Sequence, residues 1–266
     1  MKKRFGIFFC LLPALLVILP VAGSAQEKND PAGQASSEID PSSDMARADE
    51  LLKSGEMEKI KEALEICERE IAEDPDDFEA IWLASAACRE YATAAQHKEA
   101  ENWKDICGEY GKKGMEYAKK AMELKPDKPH GYYFYGLNVG AYSEGVGLIT
   151  ALKEGLKNKT QENLERAYEI DKTFNEGGPI LALGRFWQQV PWPYNDKDKA
   201  MEYYRELMNS PYFGKKVESY IYPAEILMNR WGEEPKEEAR KLLEKALAKT
   251  DEPYWENRAR ELLEEL

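Results

Sequence analysis

His97 and His130 are the only two histidines in 266 residues, and neither stands where it could activate a nucleophile. His97 lies in the polar run Gln96-His97-Lys98 and His130 follows Pro129 at a helix start, with no serine or cysteine on a sharp turn tied to either. Cys67, Cys88 and Cys107 are widely separated and have no histidine at ligand spacing, so they carry no zinc signature. The sequence also lacks a Gly-rich phosphate loop. Carboxylates are abundant, with 50 Asp and Glu against 37 Lys and Arg for a net charge of −13. Pairs such as Glu233-Glu234 and Glu237-Glu238 read as solvated helix faces. That balance repels phosphate backbones and anionic lipid and excludes nucleic acid as the main partner. The chain is read as non-enzymatic, with no catalytic residue, cofactor or metal.

Recognition chemistry remains. Tyr132, Tyr135, Tyr142, Trp187 and Trp192 offer apolar area and, in tyrosine, a hydroxyl. Either they form the stacking core of a helical array or some of them line a pocket. Asn138 sits inside a helical pattern where asparagine has poor propensity, which implies a hydrogen-bonding task, between helices or to a ligand. Arg185, beside Gly184, either pairs with a carboxylate of the next hairpin or holds an anionic group. These residues form the candidate ligand- or partner-binding set.

The elements that position them are helices. From Asp44 onward apolar residues recur at three and four, as in Leu52, Met57, Ile60, Leu64, Cys67 and Ile71, and no stretch alternates like a strand. Asp74-Pro75-Asp76-Asp77, Lys125-Pro126, Gly177-Gly178-Pro179, Pro191-Trp192-Pro193, Ser210-Pro211 and Asp251-Glu252-Pro253 punctuate them. Several helix ends share one phrase. Ala63-Leu64 leads on to Phe78-Glu79-Ala80-Ile81-Trp82, Ala121-Met122-Glu123-Leu124-Lys125-Pro126 to Tyr132-Tyr133-Phe134-Tyr135-Gly136, and Ala167-Tyr168-Glu169-Ile170-Asp171 to Leu181-Ala182-Leu183-Gly184.

This phrase resembles the tetratricopeptide repeat, a helical hairpin with small residues where its two helices touch. In that register the small structural positions are Ser85, Gly136 and Gly184 on first helices, and Ala63, Ala121, Ala167, Ala200 and Ala239 on second helices. The expected fold over residues 44–266 is an all-α superhelix of about five tetratricopeptide-like hairpins, covered by a C-terminal capping helix. An extended helix through Trp103 to Tyr117 and a Gly-spaced insertion at residues 140–160 interrupt the period.

Between Pro126 and Tyr204 the resemblance narrows. Gly131-Tyr132-Tyr133-Phe134-Tyr135-Gly136-Leu137-Asn138-Val139-Gly140, then Asn175-Glu176-Gly177-Gly178-Pro179, then Pro191-Trp192-Pro193, is similar to the tetratricopeptide T-component family of TRAP transporters. The resemblance implies an exported protein that forms a homotrimer, docks a periplasmic solute-binding protein and takes an apolar small molecule in its groove. Here that groove falls on residues 130–204. The alternative is a cell-envelope scaffold that recognises protein partners alone.

Residues 1–25 have the three parts of a secretory signal peptide: basic Lys2-Lys3-Arg4, an uncharged run from Phe5 to Ala22, and small Gly23-Ser24-Ala25. Export to the bacterial periplasm with cleavage is expected, and an uncleaved inner-membrane anchor is the alternative. Cys10 lies within the uncharged run, away from a lipoprotein cleavage point. Residues 26–43 are polar, without apolar period, and read as a disordered tether. Cys67, Cys88 and Cys107 then remain as buried thiols, or Cys67 and Cys88 pair.

Overall fold

The computed structural model of the chain describes residues 43–266; the expected signal peptide, and the tether up to Ser42, lie outside them. The helices are α1 (Asp44–Leu52), α2 (Met57–Glu73), α3 (Phe78–His97), α4 (Trp103–Leu124), α5 (Pro129–Val146), α6 (Leu148–Lys153), α7 (Leu156–Asp171), α8 (Phe174–Gln189), α9 (Lys197–Met208), α10 (Glu218–Leu227), α11 (Glu233–Lys249) and α12 (Pro253–Glu264). Among the described residues there is no strand. The helices pack as five successive hairpins, α1 with α2, α3 with α4, α5 with α7, α8 with α9 and α10 with α11, and α12 follows on α11. The superhelix with a capping helix is therefore present. The extended helix is α4, and α6 occupies the Gly-spaced insertion.

Local chemistry sets the boundaries. Asp77 accepts from the Ala80 amide at 3.0 Å, and Asp196 from the Lys199 amide at 2.9 Å, so both cap the free N–H groups of a first turn. Pro129 and Pro253 sit where a helix starts and a missing N–H costs nothing. Asn175, Glu176 and Gly177 form a left-handed run at φ 48°, 59° and 76°, so regular helix in α8 begins only at Gly178. A side chain at Gly178 would meet the Tyr133 hydroxyl 2.6 Å from its Cβ. Gly177 and Gly178 are buried backbone fitted to their neighbours, which leaves no open anion site there.

The core follows the small residues. Ala63, Ala121, Ala167, Ala200 and Ala239 are wholly buried, and a Cβ on Gly136 or Gly184 would strike Leu164 or Tyr204. The first four hairpins supply one cluster, around Leu83, Trp82 and Phe134, and α8–α12 supply the other, around Tyr204, Ile221 and Leu243. Between α3, α4 and α5 lies a polar joint. Asn138, 0% exposed, donates to the Ser85 carbonyl at 3.0 Å and to the Phe134 carbonyl at 2.9 Å, while the Ser85 hydroxyl donates to the Gly114 carbonyl at 2.8 Å.

Cys67, Cys88 and Cys107 are free and buried, so the alternative Cys67–Cys88 bridge is not formed. Burial pushes the Cys67 and Cys88 thiols up to about 12, which keeps them protonated and inert. His130 packs 4.8 Å from Trp82 and 4.5 Å from Phe174 between ring centroids. Burial first, and Lys128 second, lower its pKa from 6.5 to about 4.

Two glycines test the polar joint. Gly114→Ala forces a Cβ into the Asn138 amide and should destabilise the fold by about 1–3 kcal/mol in urea denaturation. Gly140→Ala meets open space within α5 and should stabilise it by about 0.5–1 kcal/mol; equal shifts would contradict the joint. For His130, the unfolded chain takes up a proton near pH 6.5 that the folded protein refuses until about pH 4. Stability is full above that window and falls with pH through it. His130→Leu should remove about 1–3 kcal/mol of that fall, and an unchanged pH profile would show that His130 is hydrated.

Candidate binding cavity

Helices α3, α5, α8 and α10, with α6, α7 and the start of α12, wall a cavity of about 980 Å³. One wall is apolar, with Leu137 and Val139 from α5, Leu152 from α6, Leu156 from α7, and Ala182 and Phe186 from α8. The other wall is charged, with Arg89 from α3, Arg185 from α8, Tyr222 and Glu225 from α10, and Arg258 from α12. The lining thus extends beyond residues 130–204 at both ends.

Glu225 is the hub of the charged wall. It accepts from Arg185 Nη1 at 2.7 Å, Arg258 Nη2 at 2.8 Å and Gln188 Nε2 at 3.0 Å. The Arg185 guanidinium also lies 4.0 Å from the centre of the Tyr222 ring. Burial works against the Arg185 charge, but the neighbouring Tyr222 and Glu225 outweigh it, and its pKa is raised. Burial likewise raises Tyr222, leaving its hydroxyl a neutral donor. The ion pairs rigidify this wall and join three elements that are remote in sequence. Arg89 differs from the other two arginines. It is half-buried, faces the cavity and has no ion-pair partner within 4 Å among the described residues.

A contact between α3 and the start of α12 borders the cavity, which is open to solvent elsewhere. His97, at the end of α3, lies with Nδ1 2.6 Å from Glu252 Oε1. Its ring stacks on Tyr254 at 3.9 Å and 8°, with Trp255 edge-on at 5.2 Å. The capping helix thus does more than cover α11: its first turn meets the second hairpin across the channel.

Of the sequence-selected binding set, Arg185 alone lines the cavity. It pairs with the next hairpin through Glu225, the first of its two expected roles. Asn138 belongs to the α3–α4–α5 joint, the interhelical one of its two expected roles. Tyr135 is buried beneath Lys119, whose Nζ lies 5.9 Å from its ring. Tyr132 donates to the Pro126 carbonyl at 3.2 Å, and Tyr142 to Glu154 at 3.1 Å. Trp187 packs in the α8–α12 cluster under Lys199, which is 3.9 Å from its ring, and Trp192 stands 85% exposed on the α8–α9 turn. The aromatic residues are mostly stacking core. Sequence reasoning missed Arg89, His97, Tyr222, Glu225 and Arg258 as cavity residues. Arg89 had a signal, since it is the first charge after Ala84-Ser85-Ala86-Ala87-Cys88 on α3.

Among the described residues no helix is long and apolar enough to cross a membrane, and no group of three or more His, Cys, Asp or Glu could hold a metal ion.

Stacked helical hairpins curving around an inner cavity define a tetratricopeptide-type superhelix. Within that class the chain belongs to the family described as RMD1-3, regulator of microtubule dynamics protein 1-3, whose family model matches residues 44–190. That span runs from α1 to the residue after α8. Among solved structures the chain is similar to TTC0263, a thermophilic TPR protein in Thermus thermophilus, at 16% identity and TM-score 0.55, covering 83% of this chain and 99% of that one. MamA is similar at 17% identity and TM-score 0.42, over 76% of this chain and 93% of its own. Yeast Tom70 is similar at 10% identity and TM-score 0.33, over 85% and 65%. A comparison with curated proteins gave no match. These structural likenesses concern the fold alone.

The end-to-end contact yields a prediction. His97→Ala removes the Glu252 bond and the Tyr254 stack, so hydrogen exchange should accelerate in the first turn of α12 and in the last turn of α3 while α4 and α5 stay protected. Unchanged exchange at both ends would show that the rest of the array holds them together without His97.

Proposed function

We propose that the chain is a non-catalytic binding module that takes a segment of a partner protein into its inner cavity. The observation that supports this is the division of the cavity: apolar side chains from α5 to α8 face the unpaired cation of Arg89 and the Glu225 network. An extended segment with apolar side chains and one acidic group satisfies both walls, the first by burial and the second by a charge-assisted bond to Arg89. An apolar small molecule could occupy the first wall alone. The family description speaks of microtubule dynamics; what our reading carries over to this chain is the protein-binding array.

The finer reading adds export and a role like that of a TRAP T-component, with a periplasmic solute-binding protein as partner and a homotrimer as the assembly. It is supported by the three-part layout of residues 1–25 and by the residue phrases between Pro126 and Tyr204, which include Leu137 and Val139 of the apolar wall. The test is a photo-crosslinking residue placed at Leu137, or at exposed Glu202 as control, in chain recovered from the osmotic-shock fraction of the host. Leu137 should cross-link a discrete protein, Glu202 should not, and Arg89→Glu should reduce the product at least several-fold. Equal products at both positions, or none at Leu137, would contradict the cavity as the binding site. Absence of the chain from that fraction would contradict export.

A further inference from the structure

Lysines and arginines equal the carboxylates in the lining of the inner cavity, so a ligand meets balanced charge there. Arg185 and Arg258 are joined to Glu225 at 2.7 and 2.8 Å, and Arg258 to Glu261 at 3.6 Å. Lys98, Glu99 and Glu144 are exposed, and Lys157 lies 5.1 Å from the centre of the Tyr194 ring. Arg89 and Glu218 remain, a cation and an anion that are both half-buried and both face the cavity. Neither has an ion-pair or side-chain hydrogen-bond partner among the described residues.

Their placement makes them one site. Glu218 stands in the first turn of α10, where a helix favours an acid, and Tyr222 follows it by one turn on the same face. The Tyr222 hydroxyl also has no hydrogen-bond partner among the described residues. Its ring is pinned by the Arg185 guanidinium at 4.0 Å, which Glu225 holds in turn. Burial is the main cause that keeps this hydroxyl above the usual tyrosine range; of the charges acting on it, Arg185 and Arg89 lower its pKa, whereas Glu218 and Glu225 raise it. The two unpaired charges, of opposite sign, thus flank one neutral donor, with no ion pair joining them to each other among the described residues. A ligand group of single charge satisfies one of them and leaves the other sheltered from water without a partner, which costs free energy. A group that carries both charges satisfies both.

We propose that Arg89, Tyr222 and Glu218 form a zwitterion subsite, so that the segment taken into the cavity carries an acidic and a basic group side by side. The acid lies on Arg89 and the Tyr222 hydroxyl, and the base on Glu218. The subsite rests on the cavity being the binding site and adds the basic group that the acidic one alone does not imply. The test titrates the full chain, by dansyl emission, with three probes that share one apolar body. Nε-dansyl-lysine bears an ammonium and a carboxylate on one carbon, dansylcadaverine lacks the carboxylate, and dansylaminohexanoate lacks the ammonium. Dansyl-lysine should bind roughly ten-fold more tightly than either. Arg89→Gln should reduce it to the affinity of dansylcadaverine without weakening dansylcadaverine itself. Glu218→Gln should reduce it to the affinity of the hexanoate without weakening the hexanoate. Tyr222→Phe should weaken dansyl-lysine and the hexanoate several-fold and spare dansylcadaverine, and Phe186→Glu, on the apolar wall, should weaken all three. Equal affinities for the three probes, all weakened by Phe186→Glu, overturn the subsite and leave the cavity reading standing. Affinities that Phe186→Glu does not move contradict the cavity itself, and the subsite with it.

Discussion

The structure depends on how closely helices can approach at the crossing of α3, α4 and α5. Gly111 and Gly114 bring α4 against α5 with no Cβ between them, and Ser85 and Asn138 bind the three helices through buried hydrogen bonds. A larger residue at either glycine would separate the helices and change the angle between successive hairpins. That angle is cumulative along a stacked array, so a small error at the second hairpin becomes a displacement at the last. The meeting of His97 with Glu252 and Tyr254, remote in sequence, therefore requires this joint to be tight.

The curvature of the array shelters part of the inner surface. An open groove leaves its arginines in water, where an ion pair contributes little. Here Glu225 is largely sheltered and shared by Arg185, Arg258 and Gln188, and Tyr222 lies under the Arg185 guanidinium. The bonds among these groups are already made, so an entering segment need not reorganise them, which reduces the ordering cost of binding. Arg89, like Lys157 and Glu218, lines the cavity without an ion pair among the described residues and is the cation of the Glu225 wall left for the segment. Its distance in sequence from Glu225 is bridged by the curvature of the array, so fold and site are one arrangement.

Much of the fold was legible because its signals are local. The three-and-four recurrence, the proline and aspartate punctuation, and the small residues at Ala63, Ala121, Ala167, Gly136 and Gly184 act within one hairpin or between neighbours. The cavity was less legible because it is made by residues brought together across the array. Asn138 drew notice as a polar residue in a helix, but its partner Ser85, itself bonded to Gly114, belongs to another hairpin, and only their juxtaposition shows that its bonds are internal. Tyr135 and Trp187 have the chemistry of a pocket yet face into the stack. Glu225 and Arg258 resembled ordinary members of charged helical faces, since a sequence as acidic as this one gives no reason to single out one carboxylate. Arg185 was found because a large cation beside Gly184 needs a partner near a close helix contact.

The central claim is that the inner cavity is the place where this chain binds something else. The most direct measurement is native mass spectrometry of the protein isolated from its own host, for the unchanged chain and for Phe186→Glu, which puts a carboxylate on the apolar wall. The account predicts a noncovalent adduct, a peptide segment or an apolar solute, on the unchanged chain and its loss from the variant. A bare mass for both, or an adduct that Phe186→Glu leaves in place, would contradict it.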